Sequence, residues 1–218
     1  MKSSDEFVPI TLQPQEIETE SFRMIDEEVG THEFSDLQYP IARRVIHATA
    51  DFDLGKSMLF SPGAVEAGIK AVRSGKMVVA DVAMVQAGIN KPRIHKYGGD
   101  VRVYISDEDV VAEAKRQNTT RAIISMQKAV KENEGAVFVI GNAPTALLEL
   151  IRLVREEGAR PGLIIGVPVG FVSAAESKEI LSTLDTAFIT NRGRKGGTPA
   201  AVAALNALTL LADSDILT

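Results

Sequence analysis

No cysteine and no tryptophan occur among the 218 residues, and tyrosine occurs only three times. Without thiols the chain forms no disulfide, offers no cysteine ligands for zinc or an iron–sulfur cluster, and has no thiol nucleophile. That absence fits the cytosol. With aromatic residues at only 5%, the core has to be built from Val, Ile, Leu and Ala, which suits helices packed closely on a sheet. A net charge of −5 argues against a broad basic surface, so no nucleic-acid partner is expected. Apolar stretches are broken by Gly, Pro or charge before they reach spanning length, and no membrane association is expected. The polar start, Met1 to Glu6, lacks the apolar stretch of a signal peptide, which makes a cytoplasmic location the expectation. Neither the dinucleotide fingerprint G-x-G-x-x-G nor the Walker A pattern is present, so phosphate binding is not specifically signalled.

What is present is an ordinary globular balance, 45% hydrophobic and 24% charged residues, in a chain long enough for a sizeable core. No linker, repeat or low-complexity tract divides it, so residues 1–218 are read as a single domain. Residues 1–16 are read as an extended or flexible segment, because Pro9 and Pro14 disfavour a helix there, whereas residues 18–29 have a helical pattern. Five short Val- and Ile-rich runs read as strands buried on both faces: Lys76–Val82, Val101–Ile105, Ala136–Gly141, Leu163–Val167 and Ala187–Thr190. Helical patterns alternate with them over Pro62–Ser74, Asp107–Arg116, Thr120–Glu134, Thr145–Glu157, Ala174–Leu184 and Pro199–Leu211. This alternation predicts an α/β fold, a three-layer α/β/α domain with a largely parallel sheet of about five strands.

Three strand ends run into Gly/Pro-rich turns that open helices, at residues 141–146, 166–177 and 191–201. In open α/β sheets such ends line the ligand crevice, and helix N-termini there suit anions. A ligand with several carboxylates fits three such turns at least as well as a phosphate. The plain alternative is that these glycines only permit tight turns and close packing.

Of the three histidines, His32 lies in a polar acidic stretch and His95 in a basic loop, KPRIHKYGGD (residues 91–100). His47 follows Val45-Ile46 and precedes Ala48-Thr49-Ala50, where a helix end either buries the imidazole or turns it into a cleft. The commoner role for such a residue is a core histidine bonded to a carbonyl. The alternative is a general acid, since imidazole titrates near neutrality, with Asp51 or Asp53 available in sequence to orient it. No second histidine stands at a ligand spacing from His47, so no metal site is expected. Serine nucleophiles lack a G-x-S-x-G elbow. Arg23, Arg43, Arg44, Arg121, Arg192, Arg194 and Lys195 are the candidate cations for a polycarboxylate, arginine being the better fork for such groups. Arg121 is notable at a predicted helix start, where a cation opposes the dipole.

The blocks RVIHATADFD (44–53), FSPGAVEAG (60–68), DVAMVQAGI (81–89), TTRAI (119–123), IGNAPTALLEL (140–150), GVPVGFVSAAESK (166–178) and GRKGGTPAAVAALNAL (193–208) resemble, in order and spacing, the precorrin-8X and cobalt-precorrin-8 methylmutases of cobalamin biosynthesis. ESFRMI (20–25) is similar too. The likeness covers nearly the whole chain from about residue 17. Thr198 stands where the family commonly has serine, and the 91–100 loop departs from the pattern. The resemblance implies an isomerase that moves a methyl from C11 to C12 of a corrin precursor in a 1,5-sigmatropic shift, giving hydrogenobyrinate or its cobalt counterpart. It implies no cofactor, a corrin-ring polycarboxylate as substrate and product, and a homodimer. It places the catalytic acid on His47 and points to Ser21, Arg23, Arg44 and Arg121 for substrate binding, with the turns at Asn142, Gly170, Gly196 and Gly197 as backbone donors. The rival readings are a non-catalytic corrinoid carrier, which has no need of His47, and a nucleotide-dependent enzyme, which micromolar NAD or ATP binding would reveal.

Overall fold

The computed structural model describes residues 13–214. In chain order the elements are α1 (Pro14–Val29), α2 (Tyr39–Thr49), α3 (Phe52–Lys56), β1 (Met58–Phe60), α4 (Ala64–Arg73), β2 (Val78–Ala80), α5 (Ala83–Gly88), α6 (Lys91–His95), β3 (Val101–Arg102), α7 (Glu108–Arg116), α8 (Arg121–Glu132), β4 (Val137–Ile140), α9 (Pro144–Glu157), β5 (Leu163–Gly166), α10 (Ala174–Leu181), β6 (Phe188–Asn191) and α11 (Thr198–Asp213).

The strands form one six-stranded sheet in the order β1-β6-β5-β4-β2-β3. All neighbours run parallel except β1, which pairs antiparallel with β6 through Leu59 opposite Thr190. Alternate residues of each parallel strand face opposite layers. On one side Val137, Val139, Leu163, Ile165 and Ile189 meet α2, α4 and α11. On the other, Phe138, Ile140, Ile164 and Phe188 meet α7, α8, α9 and α10. The three-layer α/β/α expectation holds. The count of about five strands is corrected to six, because β1 is three residues at an edge with only Met58 fully buried. A run that short carries no legible period.

Two other expectations shift. The run 101–105 pairs only over Val101–Arg102, since β3 is the outer edge and Tyr104 instead turns into the α7–α8 layer, its hydroxyl accepting from Asn133 Nδ2 at 2.7 Å. Of the segment read as extended, residues 1–12 lie outside the described residues, and Pro14–Glu16 are helical. Proline is tolerated in a helix's first turn, where its missing N–H has no intrahelical acceptor to lose.

α11 runs through the middle of one layer. Ten of its residues, all Ala, Leu or Thr, are buried, which permits close approach. Gly88 abuts Val202, and a Cβ added at Gly68 would lie 2.8 Å from Leu208.

Candidate active site

α2 is amphipathic in a way that decides where its polar residues point. Ile41, Ala42, Val45 and Ile46 are buried, mostly against α11. At helical spacing Arg44, His47 and Ala48 then share the adjacent flank, and all three line one cavity of about 490 Å³. Ala50 ends the helix in a left-handed conformation, φ 51°, its N–H donating to the Ile46 carbonyl at 2.7 Å. His47 is therefore an exposed imidazole in the last turn of α2. The buried core-histidine reading is excluded.

One wall of the cavity is a single stripe of α11: Pro199, Val202, Ala203, Asn206 and Leu210. This wall is mostly apolar. Among the described residues Arg44 and Arg93 supply two guanidinium groups, and Glu18 of α1 the one carboxylate. Glu18 bonds Arg44, whose guanidinium also lies 4.7 Å from the Phe22 ring centroid. Phe22 in turn sits 5.1 Å from the His47 ring centroid. Asn206 is committed: its Oδ1 accepts from Asn90 N–H at 2.9 Å and its Nδ2 donates to Gly88 O at 3.0 Å. It thereby clamps the α5–α6 connection on α11 and sets Arg93 at the cavity, with Asp213 4.0 Å from the Arg93 Nε. A second open hollow, near Gln15, Glu16, Thr19 and Glu20, is acidic and repels a polyanion.

The other expected residues are placed differently. Asp51 and Asp53 do not orient His47. Asp51 caps α3 by accepting from Leu54 N–H at 2.9 Å, and both carboxylates bind Lys195. The Lys195 bond holds the Asp51 carboxyl below its ordinary range, with the Leu54 amide adding to it. Ser21 donates to Ile17 O at 2.8 Å within α1, and Arg23 pairs with Glu20 and Glu27 on the same helix. Neither lines the cavity. Arg121 is exposed at the start of α8, in the opposite layer. Arg93, unmarked in the sequence reading, is the added cation; its signal was the basic run Lys91, Arg93, His95, Lys96.

The anion-ready turns also carry a correction. The amides of Gly141, Asn142 and Ala143 all donate to the buried Asp81 carboxylate at the end of β2, at 3.2, 2.8 and 2.8 Å. This is the switch point of the sheet, where the chain leaves β2 for β3 on one side and β4 on the other. The anion is thus supplied by the protein. Gly170 N–H donates to Arg194 O and Gly197 N–H to Val167 O, so these two amides knit the β5 and β6 loops together. A Cβ on Gly196 would lie 2.3 Å from Val167 O, which demands glycine.

Beneath those loops Lys178 of α10 is 1% exposed and has no carboxylate partner among the described residues. Its Nζ donates to Lys195 O at 2.6 Å and Asn191 Oδ1 at 3.1 Å. Burial pushes its pKa down to about 8. Between that value and the ordinary lysine range the unfolded chain binds the extra proton, so stability rises with pH there. Compared with Lys178→Met, the wild type gains on the order of 2–3 kcal/mol from pH 8 to 10.5. Urea unfolding of both proteins across that range checks it, and a flat difference contradicts it.

Among the described residues no group of three His, Asp and Glu side chains is placed to hold a metal, and no helix is long and apolar enough to cross a membrane. A family model for precorrin-8X methylmutase matches residues 16–211. The cobalt-precorrin-8 methylmutase of Priestia megaterium is 68% identical over 211 residues, 97% of this chain and 94% of that protein. The precorrin-8X methylmutase of Pseudomonas aeruginosa is 40% identical over 170 residues, 77% of this chain and 81% of that protein. The crystal structure of a precorrin-8X methyl mutase from Thermus thermophilus superposes with a TM-score of 0.85 at 45% identity, covering 91% of this chain and 96% of that one.

Proposed function

The chain belongs to the precorrin-8X methylmutase family, isomerases of cobalamin biosynthesis that move a methyl group within one molecule, and on that premise we propose that His47 is the general acid of the shift. The observation that carries this is its position: an exposed imidazole on the same flank as Arg44, facing a mostly apolar wall. A corrin precursor needs that combination, an apolar surface for the ring, cations for its acetate and propionate arms, and one proton donor.

In this reading the ring lies against Pro199, Val202, Ala203 and Leu210 while Arg44 and Arg93 bind carboxylate arms. Protonation of the conjugated ring by His47 withdraws electron density from the migrating framework. The bond from C11 to the methyl breaks as the bond to C12 forms. An isomerisation leaves the composition unchanged, so the proton returns and the imidazole is reset. Arg44 is released from Glu18 to take the substrate arm. Ser21, Arg23, Arg121 and Gly196 stay as secondary binding proposals: Ser21 and Arg23 lie on the helix that carries Glu18, and Arg121 opens α8; the Asn142 amide is taken by Asp81 and is not among them. Gly170 and Gly197 shape the loops through their own internal bonds.

The deciding experiment is to incubate excess precorrin-8X with the protein and count turnovers from the chromophore's absorbance. A carrier leaves the covalent state unchanged, and names shared by the relatives give that rival no support. Arg44→Gln is expected to raise KM by roughly 10–100-fold with a smaller change in kcat, the loss of a charge-assisted bond. An unchanged KM removes Arg44 from substrate binding. The proposal includes a homodimer and a cytoplasmic site of action. The resemblance supports the dimer; the small side chains of α11 do not, being buried within the subunit. Sedimentation gives the mass.

A further inference from the structure

The loop between β5 and α10 exposes three large apolar side chains together. Val169 is 47% exposed, Phe171 85% and Val172 81%. Scattered apolar residues on a surface need no explanation, but a cluster beside a cavity does. Arg194, from the loop after β6, sits with its guanidinium carbon 5.8 Å from the Phe171 ring centroid.

The cluster is held in place. Gly170 N–H donates to Arg194 O at 3.2 Å and Gly197 N–H to Val167 O at 2.8 Å, while the buried Lys178 ammonium holds Lys195 O from below. Ser173, which closes the loop, adopts φ 61°, a conformation that costs a non-glycine residue energy and tends to persist at functional positions. A lip ordered before binding loses little entropy when it closes on a ligand.

It also borders the candidate site. A Cβ on Gly197 would lie 3.6 Å from Val169 Cγ1 and 3.7 Å from Pro199 Cδ, so this one glycine separates the exposed loop from the cavity wall. Lys195 ties the same loop to Asp51 and Asp53, just beyond the helix that carries His47.

We propose that Phe171 and Val172, with Arg194 beside them, form a lip that grips the substrate outside the His47 cavity, the apolar side chains on the ring and the guanidinium on a carboxylate arm. This rests on the methylmutase reading. A carboxylate-fringed macrocycle presents an apolar face a few ångströms from anions, and the lip presents an apolar surface a few ångströms from a cation. The two are complementary in both respects.

The test uses the full chain, precorrin-8X and the product. Phe171→Ser/Val172→Ser is expected to raise KM about tenfold or more, and Arg194→Gln about tenfold, with kcat within about threefold in each. Saturating product is expected to protect the amides of residues 169–173 from hydrogen exchange in the wild type. Unchanged KM in both variants, with no protection of the loop, overturns the lip. A lower sedimenting mass for the double variant with KM unchanged also overturns it, identifying the patch as a subunit contact. In either case normal wild-type turnover, lost in His47→Ala, leaves the methylmutase reading standing. A wild type that never converts precorrin-8X sinks that reading instead.

Discussion

His47→Ala is expected to cut turnover of precorrin-8X by about 10²–10⁴-fold, the usual worth of a positioned general acid, while the product still binds within a few-fold of wild type. The separation follows from the geometry. Removing the imidazole leaves the α11 wall, Arg44 and Arg93 in place, so the ring is still held but the proton source is gone. The side chain is exposed and makes no hydrogen bond to a neighbouring element among the described residues, so its loss leaves the fold intact. Single-turnover absorbance kinetics and a product titration measure the two effects. Full activity in the variant removes the acid from the mechanism; equal loss of binding and turnover gives His47 a holding role instead.

Asp81→Ala is expected to act on stability. The Asp81 carboxylate is 1% exposed and accepts the amides of Gly141, Asn142 and Ala143. Truncation leaves three donors at the start of α9 without an acceptor. At about 1–3 kcal/mol for each unsatisfied buried group, partly relieved by water, the loss is about 3–5 kcal/mol, and Tm falls by roughly 10 °C in a domain of this size. Calorimetry of wild type and variant checks it. A change under about 1 kcal/mol means the amides find other acceptors. Burial raises the Asp81 pKa against the pull of those amides. A folded value above the unfolded one stabilises below the ordinary carboxylate range and is lost as pH rises through the raised value. The advantage of wild type over Asp81→Asn is therefore expected to be largest in acid.

Asp81 shows how a sequence pattern can be chemically right and misassigned. The turn at residues 141–146 was legible as anion-binding, because Gly, Pro and a helix start in succession leave amides free. Which anion fills it depends on a residue 60 positions earlier, brought there by the pairing of β2 with β4. The same holds for Asp51 and Asp53: near His47 in sequence, they turn away to cap α3 and meet Lys195, 142 to 144 residues on. Arg93 is the converse case: its basic run is visible in the sequence, but only the bond by which Asn206 anchors its loop to α11 brings it to the cavity.

By itself the chain order of apolar and polar residues determined the layers, the parallel sheet and the helix that ends near His47, because those depend on periods of two and 3.6 residues that are local. The family was legible for a related reason: its motif blocks are contiguous runs. The tertiary structure alone decided that His47 opens into a cavity rather than the core, that Arg44 and Arg93 share it, and that Asp81 takes up the switch-point amides. Those facts rest on contacts between residues tens to over a hundred positions apart, and no local pattern encodes which distant side chain arrives.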